Sequence, residues 1–425
     1  MSPVITNLSA REVLDCRGLP TVQVDLALDD GTVARADVPS GRSTGSMEAT
    51  ELRDGGTRFG GFGVLGAVEA VKGELRDSLV GKELPEQREL DSALIALDGT
   101  EQKSRLGANA ILGVSLAAAR ARAATAGLPL YRALNANAHV LPAPLVNLIN
   151  GGKHASNDLD FQEFIIIPVG AESIIEALQI STEVNLALAE ILLERYGKSA
   201  LNTGDEGGYA PAISDPHEAL GLLHEAVANA GHQGRFRYGL DAAATHYYDA
   251  DSGTYDIAGS KRDRDGMIEL YQELIREFDV VTIEDPLDEN DFEGFAELTE
   301  ASGIQIVGDD LFVTNPERLR IGLEAGAANS LLWKVNQIGT LSEALDAADI
   351  AHRAGYTVVV SERSGETEDP IIANLAVALG AGQIKTGAPV RGERTAKYNR
   401  LIRIEEELGA TASYPGDVFP AAIAA

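Results

Sequence analysis

From Leu141 onward the chain repeats one pattern: a short apolar run, an abrupt polar or charged residue, then a helical stretch. The runs occupy residues 145–149, 164–167, 236–240, 280–283, 304–307, 330–332, 357–360 and 382–384. A strand buried on both faces reads as an unbroken apolar run, as a parallel sheet covered by helices requires. The later runs recur about every 25 residues, close to one βα unit of a barrel of roughly 250 residues over eight units. A (β/α)8-type barrel is therefore expected over 136–425, in preference to a doubly wound open sheet. Irregular spacing in the first half, with a long helix over 173–195, points to modified early units.

The first part of the chain has a different rhythm. Residues 4–38 alternate in strand fashion, and Asp29-Asp30-Gly31 reads as a hairpin turn between 21–28 and 32–38. Helical periodicity follows over 64–79, 85–96 and 108–126, the last ended by Gly127 and Pro129. Strands followed by segregated helices predict a small α+β domain over 1–135. Between them, residues 39–45 form a Gly-rich polar loop suited to a mobile lid. Two glycine motifs are decoys. Gly61-Phe62-Gly63-Val64-Leu65-Gly66 matches a dinucleotide pattern but follows a polar loop, so it reads as a turn. Gly197-Lys198-Ser199 lacks the upstream glycine of a phosphate loop and reads as a helix end.

Composition narrows the partners. A formal net charge of −30 argues against nucleic acid and anionic membranes. It suits a divalent cation, although most of these acids are ordinary solvated surface. A single cysteine, Cys16, excludes an internal disulfide framework and fits a reducing compartment. The first residues carry no basic, apolar leader pattern, and no apolar stretch is long enough to span a bilayer. A soluble, cytoplasmic protein is expected.

Chemistry concentrates where the apolar runs stop. Asp241, Glu284 and Asp309 each end a predicted barrel strand. Singly, each is more readily a helix cap or a solvated loop acid. Together, three carboxylates from consecutive strand ends would converge on a hard cation such as Mg2+. Lys334 and Lys385 end later strands. A lysine at an apolar strand end beside a divalent cation is expected to have a lowered pKa, which suits a general base. Lys385 would add positive charge against a substrate carboxylate. Proton abstraction next to a carboxylate creates a dianionic enolate and needs such concentrated charge. Glu163 and Glu206 offer themselves for the opposite proton transfer, because paired carboxyls keep one member protonated.

With these residues in place, the chain resembles the enolase family along almost its whole length. The matching stretches are 39–45, 106–115, 151–164, 204–211, 283–291, 307–318, 334–340, 361–369, 383–389 and 397–408. The resemblance implies two Mg2+ per site, the first held by Asp241, Glu284 and Asp309, the second helped by Ser43 on the lid. It implies that Lys334 takes the C2 proton and that Lys385 faces the substrate carboxylate. Glu206, assisted by Glu163, would help the C3 hydroxyl leave as water, while His154, Gln162, Arg363 and Ser364 contact substrate. A homodimer or homo-octamer is implied as well.

Several positions depart from the family pattern. Its S-G-A-S-T-G loop has Arg42 at the alanine, and its S-H-R-S-G-E stretch has Glu362 at the histidine. The stretch A-A-S-E-F-Y is Ala242-Ala243-Ala244-Thr245-His246-Tyr247, and Leu19 and Gly392 stand for Asn and Ser. Exchanging His for Glu brings an anion toward an anionic substrate. Arg42 would answer it, either by pairing with Glu362 or by gripping an extra anionic group. These changes favour a specialised member resembling carboxyphosphonoenolpyruvate synthase of phosphonate biosynthesis, acting on 2-phosphonoformylglycerate. The alternative is the ordinary glycolytic reaction from 2-phosphoglycerate to phosphoenolpyruvate. A non-catalytic binding protein is the remote third, opposed by the retained lysines and acids.

Overall fold

The structure, a computed structural model, describes residues 3–42 and 44–419. Three strands open the chain: β1 (Ile5–Leu14), β2 (Pro20–Leu28) and β3 (Val33–Asp37), paired in that order as an antiparallel sheet. The hairpin between β2 and β3 turns at Gly31, whose φ of 87° is a conformation glycine adopts without steric cost. Helices Leu65–Ala70, Arg76–Leu79 and Gln87–Asp98 follow. The first expected helix is broken in two by a π turn over Val71–Leu75, where Gly73 leaves helical geometry.

Helix Ala108–Thr125 joins the two halves. It is Ala-rich and almost wholly buried, with β2 and β3 on one side. Gly113 permits the close approach, since a Cβ there would lie 2.5 Å from Val24. On its other side Ser115 Oγ accepts the Leu341 N–H at 3.1 Å, and Arg120 pairs with Asp369.

Eight strands close the barrel: β4 (Ala143–Asn150), β5 (Glu163–Ile167), β6 (Arg237–Asp241), β10 (Val280–Glu284), β11 (Gln305–Gly308), β12 (Ser330–Trp333), β13 (Thr357–Ser361) and β14 (Gly382–Lys385). Between β6 and β10 the chain inserts a small antiparallel sheet of β7 (Tyr248–Asp249), β8 (Thr254–Ile257) and β9 (Ser260–Arg262). Each of the eight apolar runs noted above contributes a barrel strand. The modification of the early units is one of direction: β5 runs antiparallel to both β4 and β6, while the other neighbours are parallel. The decoy at Gly197 caps helix Ile174–Tyr196, whose N-cap is Ser173.

Strand side chains alternate, so residues two apart share a face. Two positions below the strand-end residues, Ile165, Val307, Leu332 and Val359 turn inward and, with Leu145, Ile167 and Val281, form an apolar cluster of their own. That cluster is the floor of the barrel mouth. The loop after β11 is held by the fully buried Phe312 ring, wedged between Gly308 on β11 and Gly322 on helix Pro316–Ala325. A Cβ at Gly322 would lie 2.3 Å from that ring, and one at Gly308 2.5 Å. Gly322→Ala should therefore destabilise the protein by about 1–3 kcal/mol, the usual range for overpacking. Denaturant unfolding should show a lower midpoint with unchanged slope, and Phe312→Leu in the same chain should recover part of the loss.

Candidate active site

The strand ends converge as a ring around one small, tightly filled cavity. In ring order, Asp241, Glu284 and Asp309 stand at the ends of the consecutive strands β6, β10 and β11. Lys334 follows β12 and Lys385 ends β14. Glu163 reaches the same rim by another route. Because β5 is antiparallel, its first residue, not its last, lies at the mouth, opposite Asp241 in register.

Lys385 is the centre of one cluster. Its ammonium lies 2.6 Å from Glu284 Oε2, 3.0 Å from Asp241 Oδ2 and 3.1 Å from Glu163 Oε1. Burial works against that charge, but Asp241 and its neighbours outweigh it and hold Lys385 well above the ordinary lysine value. Lys334 forms a second cluster, 2.5 Å from Asp309 Oδ2, while Gln337 donates to Asp309 Oδ1 at 2.7 Å. Here the expectation of a lowered lysine needs correcting. Burial pushes Lys334 down as anticipated, yet the Asp309 carboxylate more than offsets it, and the net direction is upward. Asp309 is held below its usual value, since the lysine outweighs the cost of burial. Asp285 braces the turn that presents Asp309, accepting N–H groups from Asp309 at 2.9 Å and Asp310 at 2.7 Å.

The third cluster is Glu163, Glu206 and His154. Asn147 donates to Glu206 Oε2 at 3.0 Å, and His154 Nδ1 lies 3.4 Å from the same oxygen and 3.8 Å from Glu163. Burial, reinforced by the charge of Glu206, pushes Glu163 well above a normal carboxyl. Burial acts on Glu206 too, but His154 and the nearby cations overcome it and hold Glu206 well below. One environment thus separates two carboxyls into an acid and an anion.

These groups suit a hard cation. Burial and the charge of Asp241 push the Glu284 carboxyl well above its usual value, and a divalent cation would offset that crowding of negative charge. Asp241 Oδ1 and Glu284 Oε1 are buried without any partner, although a buried anionic oxygen is costly unless something binds it. Ser43, the expected helper of a second ion, lies outside the described residues.

Around the rim, Gln162 joins the cavity wall, its Oε1 buried and unpartnered. Arg363 is gripped by Glu48 at 2.9 and 3.1 Å and by Asn336 Oδ1 at 3.1 Å. Ser364 Oγ accepts the Arg42 N–H at 2.8 Å. Arg42 and Glu362 do not meet, contrary to one of the two roles anticipated for Arg42. Its guanidinium lies 2.9 Å from Asp205 Oδ2, and Glu362 pairs with buried Arg394 at 2.5 Å and accepts from Thr386 at 3.1 Å. Asn147, Gln337, Asp205 and Arg394 are the contributors that sequence reasoning missed. Only Asn147 carried a signal, as a polar residue inside an apolar run.

Burial, partly offset by Arg394, pushes the Glu362 carboxyl up from 4.5 to about 8. A raised folded-state value means that the fold binds more protons than the unfolded chain between pH 4.5 and 8. The stability this contributes is complete below that window and is lost as pH rises through it. Glu362→Gln removes the titration while keeping the shape. The melting temperature of the native chain should therefore fall relative to that of the variant as pH is raised from about 5 to about 9.

Comparison with known proteins agrees with this geometry over the full chain. The family model described as Enolase, N-terminal domain matches residues 5–134, and that described as Enolase, C-terminal TIM barrel domain matches residues 138–423. A protein named Enolase from Methanopyrus kandleri is 57% identical over 417 residues, covering 97% of this chain and 98% of its own. One of the same name from Methanocaldococcus jannaschii is 58% identical over 416 residues, covering 98% of each chain. A third, from Thermococcus kodakarensis, is 55% identical over 420 residues, covering 98% of this chain and 97% of its own. The chain belongs to the enolase family and is a carbon–oxygen lyase.

Proposed function

We propose that the chain carries out the ordinary enolase reaction in the cytoplasm, removing water from 2-phosphoglycerate to give phosphoenolpyruvate. The observation that supports this reading is that Lys334 and Glu163 stand on opposite walls of the mouth. Strands β12 and β5, which present Lys334 and Glu163, are four steps apart in either direction around the ring. Lys334 Nζ takes the C2 proton, and the C–H electron pair moves into the carboxylate, which Lys385 faces. From the other wall the protonated member of the Glu163 and Glu206 pair gives its proton to the C3 hydroxyl, which departs as water as the double bond forms. Attack and departure from opposite faces make the elimination anti. Arg363, fixed by Glu48, offers a cation for the phosphoryl group. Mg2+ held by Asp241, Glu284 and Asp309 would supply positive charge for the dianionic enolate and take up the Asp309 charge that keeps Lys334 protonated.

The site gives little support to a phosphonate substrate. Its rationale was an unanswered anion at Glu362 and an uncommitted cation at Arg42, and each has its own protein partner. Relatives more than half identical over nearly their whole length bear the name Enolase, which supports the ordinary substrate.

Purified protein with Mg2+ should turn over 2-phosphoglycerate efficiently, and 2-phosphonoformylglycerate poorly. The opposite preference, or no turnover of 2-phosphoglycerate, would overturn the reading. Chelation should abolish activity and added Mg2+ restore it. Lys334→Ala should lower turnover about 10²–10⁴-fold, the usual worth of a general base, and also stop exchange of the C2 hydrogen with solvent. Glu206→Gln should block dehydration while leaving that exchange measurable.

A further inference from the structure

Arg42 has a reach that the family's alanine lacks. Its backbone N–H donates to Ser364 Oγ at 2.8 Å, and its guanidinium crosses the mouth to Asp205 at 2.9 Å. The segment before it is fixed to the same rim, for Ser40 and Gly365 exchange two backbone hydrogen bonds of 2.9 Å. Asp205 immediately precedes Glu206. Its own N–H donates to the His154 carbonyl at 2.9 Å, and its carbonyl accepts from Arg394 at 3.0 Å. Through one peptide unit, therefore, the Asp205 side chain is linked to both the placement of Glu206 and the backbone of His154. Among the described residues, the Arg42–Asp205 pair is the side-chain ion pair joining the segment 39–42 to this loop.

We propose that Arg42 is a positioning residue: its ion pair with Asp205 ties the segment 39–42 to the 204–208 loop and so holds Glu206 in place. This rests on the reading of Glu206 as part of the acid pair. The side chain of Arg42 is 55% exposed and that of Asp205 21% exposed, so the tie is modest in strength and sensitive to salt.

A double-mutant cycle in the full chain tests it. Arg42→Ala and Asp205→Asn should each raise KM or lower kcat by about two- to fivefold, the range that a half-exposed ion pair supports. The double variant should be no worse than either single one, and the effect should shrink at about 0.5 M salt, where the Debye length falls to a few ångströms. Arg42→Lys should restore part of the loss. Amide exchange, read without substrate, should quicken in Arg42→Ala both in peptides containing Gly41 and in those spanning 204–208. Additive losses, or faster exchange confined to the neighbourhood of residue 42, would overturn the proposal. If the native chain fails on 2-phosphoglycerate, the functional reading falls, and the exchange measurement still decides whether Arg42 holds the loop.

Discussion

Two buried lysine ammoniums among carboxylates are the constraint on which the rest of the mouth depends. Buried charges of one sign repel strongly, and taking an ion pair out of water is repaid only by good geometry and further hydrogen bonds. The barrel supplies that geometry by placing each charged group at a strand end, where backbone pairing fixes its position. The apolar cluster of Val307, Leu332 and Val359 beneath them excludes water from below. The low dielectric strengthens every interaction above it, so the neighbouring carboxylates hold the lysines charged against the cost of burial, while burial and the charge of Glu206 hold Glu163 neutral. A site tuned in this way is poised for charge development in a reacting acid, because its dipoles and charges are set before substrate arrives.

Much of this was legible in the sequence, and for a definite reason. A run such as Val280–Ile283, stopped by Glu284, encodes both burial and the point where burial ends. Direction is not encoded. Phe164–Ile167 is as apolar read forward as backward, so nothing local revealed that β5 is reversed. Reversal is what brings Glu163, at the start of its strand, to the rim where the other strands finish. Asn147 was visible as a polar interruption in Leu145–Ile149, and its partner turned out to be Glu206, far along the chain. Gln337 and Arg394 were invisible because their roles come from pairing across long separations. Nothing about a helix running from Gly392 to Leu408 says that Arg394 will point beneath the barrel mouth.

Arg394 also explains why the exchange of histidine for Glu362 is tolerable. Its guanidinium is committed to fixed acceptors: the carbonyls of Arg363 and Ser364 at 2.8 Å and that of Asp205 at 3.0 Å. A carboxyl placed beside it meets a cation already oriented by backbone, so no side-chain ordering is added to the cost of burial. Reasoning from sequence matched the new anion with the new cation, Arg42, because both depart from the family at one rim. The fold matched it with an arginine that was there already. Glu362 and Arg394 together are neutral when the carboxyl is ionised and positive when it is protonated, so an anionic substrate meets no net repulsion from this pair. Arg42 is thereby left to bridge two loops, and the substitutions that look coupled in sequence act at separate points of the same mouth.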